Sequence, residues 1–167
     1  MPDRHDAGAA CVTRGLYTPE ERRRRDETVW TLVQGVLAPA QFLVFLVSFG
    51  LVVRFMATGE GYALATGSIV LKTGILYLIM VTGSIWEMVV FGKWLFAPAF
   101  FWEDVFSFVV IALHTAYLYA LFAGLPAETQ MWIALAAYAT YVVNAVQFLL
   151  KLRAARLQAE AADAEAR

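Results

Sequence analysis

Four long apolar runs, at residues 29–53, 69–91, 105–122 and 131–150, constrain this chain more than any other feature. As helices, each is about long enough to cross a hydrocarbon core of roughly 30 Å. The first and last carry no charge. The second holds Lys72 and Glu87, and the third holds His114 and is entered through Glu103 and Asp104. A charge within a bilayer is costly, so ionisable residues there mark a candidate site. The expected fold is all-α: a polytopic membrane protein, a four-helix transmembrane bundle with both termini cytoplasmic.

Composition agrees. The chain is 60% hydrophobic and 16% charged in 167 residues. A soluble domain of this size has nowhere to put that much apolar surface. The net charge of -1 gives no field for a nucleic-acid partner. The one cysteine, Cys11, excludes an intrachain disulfide or a cysteine-based metal site. Four spans use most of the length, leaving residues 1–16 as a tail expected to be disordered, 17–156 as the bundle domain and 157–167 as a polar tail. The tail is expected to extend the last helix and fray into solvent. Residues 1–28 lack the apolar segment of a signal peptide. Thr18-Pro19-Glu20-Glu21 reads as a helix start, with Thr18 as cap, Pro19 in the first turn and Glu21 closing a capping box.

Basic residues near the span ends set the expected orientation. Arg14 and Arg22, Arg23, Arg24 and Arg25 precede the first span, and Lys151, Arg153 and Arg156 follow the last. The arginine run beside a membrane helix suits anionic headgroups. The connection at 123–130 has no basic residue. Both termini are therefore placed on the cytoplasmic side, with Trp30, Trp86, Trp94 and Trp102 near that interface and Trp132 near the other.

This orientation brings scattered polar residues to one depth. Glu87 lies about one turn inside the cytoplasmic end of the second helix, and Glu103 and Asp104 at the start of the third. Gln34 and Gln147 lie near the same end of the first and fourth. Glu103, Ser107, His114 and Tyr117 fall within a narrow stripe at about 100° per residue, and Asp104 points away from it. Glu103 therefore ranks above Asp104. Glu103 and His114 are about three turns apart, roughly 16 Å, a separation suited to two ends of one large ligand. Tyr141, Asn144 and Gln147 share a face, as do Gln34 and Gln41. Pro39 should free the carbonyl of Gly35, and freed backbone in a membrane must meet protein or a polar cavity. That turns the Gln34–Gln41 face inward.

Each residue also has a plainer reading. Glu103 and Asp104 suit the positive end of a helix dipole. Lys72 is read as snorkelling to the outer surface. His114, Asn144 and the glutamines suit interhelical hydrogen bonding. Glu87, set among Trp86, Met88, Val89 and Val90, is the hardest to explain that way. Di-iron bundles use Glu-x-x-His pairs, and none is present, so no protein-held metal is expected. A lone histidine still suits a metal brought in by a porphyrin-type ligand.

Several segments carry a resemblance. They are Trp30-Thr31-Leu32-Val33-Gln34-Gly35 with Leu37-Ala38-Pro39, and Gly83-Ser84-Ile85-Trp86-Glu87 leading into Phe91-Gly92. The longest is Leu95-Phe96-Ala97-Pro98-Ala99-Phe100-Phe101-Trp102-Glu103-Asp104-Val105-Phe106-Ser107, continuing to Leu113-His114-Thr115-Ala116-Tyr117. Over residues 17–156 the chain resembles the 3-vinyl bacteriochlorophyllide hydratase family. The resemblance implies a hydro-lyase that converts the 3-vinyl group of a chlorophyllide to a 1-hydroxyethyl group in bacteriochlorophyll biosynthesis.

That chemistry needs no redox cofactor. It needs a carboxylic acid to protonate the vinyl terminus and a base for the attacking water. Glu87, Glu103 and Asp104 are the candidate catalytic groups, with Glu87 and Glu103 as the leading pair. Gln34, Gln41, Ser107, Tyr117, Asn144 and Gln147 are candidate substrate contacts. His114 is the candidate contact to the magnesium, which the substrate macrocycle carries. The implied partners are the tetrapyrrole, the bilayer of a bacterial inner photosynthetic membrane, and other enzymes of the same biosynthesis. A non-catalytic pigment-binding or assembly protein is the chief alternative. It would need the histidine and little else, so the carboxylate cluster discriminates. A small ion channel would want its carboxylates at successive depths.

Overall fold

In the computed structural model, residues 16–165 are described, and they form five helices. These are α1 (Pro19–Glu27), α2 (Val29–Thr58), α3 (Tyr62–Phe91), α4 (Phe101–Phe122) and α5 (Ala127–Glu165). The tail expected to be disordered lies outside the described residues except for Leu16. α2 to α5 each contain a stretch long and apolar enough to cross a membrane.

α1 begins as its sequence dictates. The Thr18 hydroxyl accepts from the Glu21 amide (3.3 Å) and the Glu21 carboxylate accepts from the Thr18 amide (2.8 Å), with Pro19 in the first turn. Thr28 then closes α1 and caps α2, accepting from the Trp30 amide at 3.4 Å. The chain turns at this residue without a loop.

The spans are longer than their apolar runs. α3 starts seven residues before the expected Ile69, at a pair of left-handed glycines: Gly59 (φ 73°) ends α2 and Gly61 (φ 88°) starts α3. Tyr62 to Ser68 is too polar and glycine-rich to extend the apolar run, yet it stays helical because it packs. The Tyr62 hydroxyl donates to Gln130 Oε1 (2.7 Å) and Ser68 bonds Ser48 (2.7 Å). α5 continues past the last span to Glu165, so the C-terminal extension is helical as expected.

α2 pairs with α3 and α4 with α5, each pair antiparallel, and the two hairpins pack together. Their shared core is Phe45, Val52, Ile69, Leu76, Val110, Tyr117, Met131, Tyr138 and Tyr141. Side-chain hydrogen bonds fix the register: Gln34 Nε2 donates to Thr82 Oγ1 (2.8 Å), Ser48 meets Tyr138 (2.5 Å) and Asn144 Nδ2 donates to Ser107 Oγ (2.9 Å). Outer faces carry exposed Leu32, Leu43, Val47, Leu71, Val81, Val109, Val143 and Leu149, which suits lipid. Trp94 and Trp102 are exposed at one end and Trp132 at the other, as an aromatic belt requires.

One expectation had the right outcome for the wrong reason. Gln34 and Gln41 do face inward, but Gly35 and Pro39 lie on the exposed side of α2. The proline therefore does not turn that face; the Gln34–Thr82 bond holds it. Reporter fusions after Arg156 and within 123–130 should report opposite sides of the membrane, the first cytoplasmic. Same-side reporting would contradict the four-span arrangement.

Candidate active site

At the end where α2 and α4 begin, three carboxyl groups lie under the 92–100 connection. Glu87 is 5% exposed, Glu103 6% and Asp104 4%. α4 sends its two adjacent carboxylates in different directions, as residues about 100° apart must. Glu103 turns to α5, where Lys151 Nζ donates to its Oε2 at 2.5 Å. Asp104 turns to α3 and Glu87, the two carboxyls lying side by side against the successive amides of Phe96 and Ala97. Glu87 and Asp104 are therefore neighbouring carboxyls, and Glu103 is the member paired with a lysine. The structure brings Glu87 beside Asp104, where the shared depth alone had made Glu87 and Glu103 the leading pair. The stripe counted residues along one helix, but α3 and α5 approach α4 from different sides.

The connection between α3 and α4 is held to this pair by its backbone. The Phe96 amide donates to Asp104 Oδ2 (2.6 Å) and the Ala97 amide to Glu87 Oε2 (3.2 Å). Phe96 has φ 58°, a left-handed conformation costing a non-glycine residue roughly 1–2 kcal/mol. It turns two successive N–H groups toward the carboxyls, a concave arrangement suited to anionic oxygen. Lys151 also donates to the Ala99 carbonyl. The three contacts tie the connection to α3, α4 and α5 together.

An aromatic wall stands beside it. Phe91, Trp86 and Phe100 meet with centroids 5.6–5.8 Å apart, Tyr17 stacks on Phe91 at 5.8 Å, and Lys151 Nζ lies 5.0 Å from the Phe100 ring centroid. Trp86 Nε1 donates to Thr31 Oγ1 at 2.9 Å, joining α3 to α2 one turn from Gln34. Burial pushes the Tyr17 phenol up, against a smaller opposing effect of Arg25, whose guanidinium lies over its ring. The phenol is neutral.

The other candidates sit deeper. Ser107 and Asn144 are bonded one turn below Asp104. Gln147 is half-buried on the same face of α5. Gln41 is buried between the hairpins, and Tyr117 is fully buried in the core of the far half. His114 is fully buried too, and both ring nitrogens are engaged. Nδ1 is 2.8 Å from the Val110 carbonyl, which can only accept, so Nδ1 carries the hydrogen. Nε2 then accepts from Lys72 Nζ at 3.2 Å. In this arrangement neither nitrogen is open to the magnesium of a macrocycle.

Lys72 corrects a second expectation. It does not snorkel outward: it is fully buried between the hairpins, its Nζ 3.9 Å from the Tyr141 ring centroid and 5.3 Å from that of Tyr138. Aromatic faces and a neutral imidazole replace water around it. Lys151 is the residue sequence reasoning missed, having been read only for orientation. The face Tyr141–Asn144–Gln147 reaches it four residues on, a signal the sequence did hold. The contribution of Phe96 and Ala97 comes from backbone, which no side-chain pattern reveals.

An apolar furrow of about 390 Å³, lined by Leu32, Val33, Val36, Leu37, Leu78 and Thr82, runs on the outside of α2 and α3. It is open to the lipid face and holds no ionisable group, so it is not the chemical centre.

No solved structure matches the chain. A family profile described as 2-vinyl bacteriochlorophyllide hydratase matches residues 17–154. A protein of Cereibacter sphaeroides named 2-vinyl bacteriochlorophyllide hydratase is 73% identical over 154 residues, covering 92% of this chain and 96% of that protein. One of the same name from Rhodobacter capsulatus is 72% identical over 151 residues, covering 90% and 88%. These names number the vinyl position 2, where the resemblance above was given as 3. With the profile spanning nearly all of the bundle, the chain belongs to the 2-vinyl bacteriochlorophyllide hydratase family.

Proposed function

We propose that this protein is a membrane-embedded hydro-lyase that adds water to the vinyl group of a bacteriochlorophyllide-type tetrapyrrole, giving a 1-hydroxyethyl group. The observation that carries the mechanism is the side-by-side placement of Glu87 and Asp104 on the successive amides of Phe96 and Ala97; sharing one proton, the pair would offer an acid and an accepting carboxylate together. Vinyl hydration needs those two groups and returns them unchanged. Glu87 gives its proton to the terminal vinyl carbon, and the positive charge delocalises into the macrocycle. Water attacks the inner carbon, and Asp104 takes the proton it releases. Transfer of that proton across the Glu87–Asp104 hydrogen bond restores the starting state. One vinyl group and one water give one carbinol, with no electron or proton left over.

The remaining groups position this pair. Lys151 neutralises Glu103 and anchors the first turn of α4. The 92–100 connection covers the carboxyls, so the macrocycle edge enters as that segment moves aside, releasing the Phe96 and Ala97 amides. The exposed Trp94 and Phe96 on the segment and the neighbouring wall of Trp86, Phe91 and Phe100 suit a flat apolar ring system. The magnesium travels with the substrate, and the protein supplies no cofactor of its own. The working end is the basic, cytoplasmic end, in the inner photosynthetic membrane. Handover of pigment between this protein and other enzymes of the same biosynthesis fits that placement.

A pigment carrier built on the one histidine within the spans is the less supported reading, since His114 is occupied at both nitrogens.

Purified protein incubated with vinyl pigment should give a product heavier by one water. Glu87→Gln and Asp104→Asn should each lower kcat by roughly two to four orders of magnitude, the range for general acid and base groups. Glu103→Gln should lower it by less than tenfold while reducing thermal stability, because it leaves Lys151 without its counter-charge. Near-normal turnover in both Glu87→Gln and Asp104→Asn would rule the pair out as the reaction centre. His114→Ala should destabilise the protein and change its affinity for magnesium-containing and magnesium-free pigment by the same factor in a pigment titration. Selective loss for the magnesium form would restore a metal contact.

A further inference from the structure

Between the carboxyl pair and the Lys72–His114 contact lie three carboxamide side chains that the protein does not satisfy. Gln41 is 2% exposed, and neither its Oε1 nor its Nε2 has a protein partner. Asn144 is 8% exposed; its Nδ2 serves Ser107, and its Oδ1 has no partner. Turning that amide over changes which end is left but not that one is left. Gln147 Oε1 is likewise buried and unpartnered. A buried polar atom left unpaired is costly. Lipid offers no hydrogen bonds to offset that cost.

The three residues form a column. Phe45 of α2 and Tyr141 of α5 touch at 5.0 Å between centroids. From that contact, four residues back along α2 is Gln41 and three on along α5 is Asn144. The helices run antiparallel, so both steps go toward the carboxyl pair and end within roughly 2 Å of one level. Gln147 is about one turn further on, and Lys151 about one turn beyond that. Across the bundle, Ser107 lies one turn from Asp104.

The unpaired atoms define what could fill this column. Three are acceptors and one is a donor, so an anion would meet mostly oxygen. A cation would meet oxygen, but also Lys72, whose Nζ sits over the ring of Tyr141 one turn away. A small neutral group that both donates and accepts satisfies all four atoms, and water is that group. We infer that Gln41, Asn144 and Gln147 hold ordered water inside the bundle, and that this store supplies the water of the hydration. The second half of the inference rests on the function proposed above; the first half does not.

Radiolytic hydroxyl labelling of the pigment-free protein in lipid nanodiscs, read by mass spectrometry, tests it. Bulk solvent does not reach Tyr141 or Phe45, so they label only if water sits beside them. Tyr141 should label well above Met131, a more reactive but fully buried side chain at the other end of the bundle. The Gln41→Leu, Asn144→Leu double variant should cut Tyr141 labelling by at least about fivefold and leave exposed Trp132 unchanged. If that variant does not fold, Gln41→Met alone should produce a smaller drop. Labelling of Tyr141 at the Met131 level, or labelling unchanged by these substitutions, overturns the water store and leaves the hydratase reading intact. Labelled water in a protein that fails to hydrate vinyl pigment would overturn the hydratase reading and the use of the water, but not its presence. In an active protein, Gln41→Met should lower kcat by about tenfold with pigment Kd unchanged, and an unchanged kcat would separate the water from the reaction.

Discussion

The arrangement turns on two carboxyl groups held side by side. Glu87 comes from α3 and Asp104 from α4, and an ionised pair would repel with no water to screen it. A single shared proton, as proposed for this pair, would turn that repulsion into an attraction between α3 and α4. The amides of Phe96 and Ala97 bond the outer oxygens, so the strained turn at Phe96 is held by the charge it covers. In the proposed mechanism the same proton is the reagent of vinyl hydration, so one carboxyl pair serves both packing and chemistry.

A second constraint, that polar groups in hydrocarbon must be partnered, organises the rest. Gln34–Thr82, Ser48–Tyr138 and Asn144–Ser107 join neighbouring helices and set their register. Lys72 follows the same rule with unusual partners. It has the Nε2 of His114 and the faces of Tyr138 and Tyr141, and this closes the far half of the bundle with a cation where the near half has carboxyls. The unsatisfied carboxamides lie between the two regions, where the rule is met only if something else is bound.

Much of this was legible in the sequence, and the exceptions have physical causes. The four spans, the α1 capping box and the depth of Glu87, Glu103 and Asp104 follow from hydropathy, local chemistry and antiparallel order. The choice between Glu103 and Asp104 does not. Periodicity fixes the angle between them, but which neighbour each meets depends on helix–helix packing. Lys72 was misread because snorkelling assumes a lipid-facing side chain, and one helix alone does not show which face is buried. Lys151 carried a periodic signal that was assigned to orientation instead. The loop amides left no trace, since any residue but proline offers the same N–H. The resemblance to the family rests on the long motif around Trp102-Glu103-Asp104, and the profile match over residues 17–154 bears it out.

The proton proposed to be shared by Glu87 and Asp104 in the resting protein is directly observable by infrared spectroscopy. The pigment-free protein should show a protonated carboxyl C=O stretch that shifts on exchange into deuterated water. Glu87→Gln should abolish this band and Glu103→Gln should preserve it. A spectrum with no protonated carboxyl band, or one whose band survives Glu87→Gln and disappears with Glu103→Gln, would contradict the account.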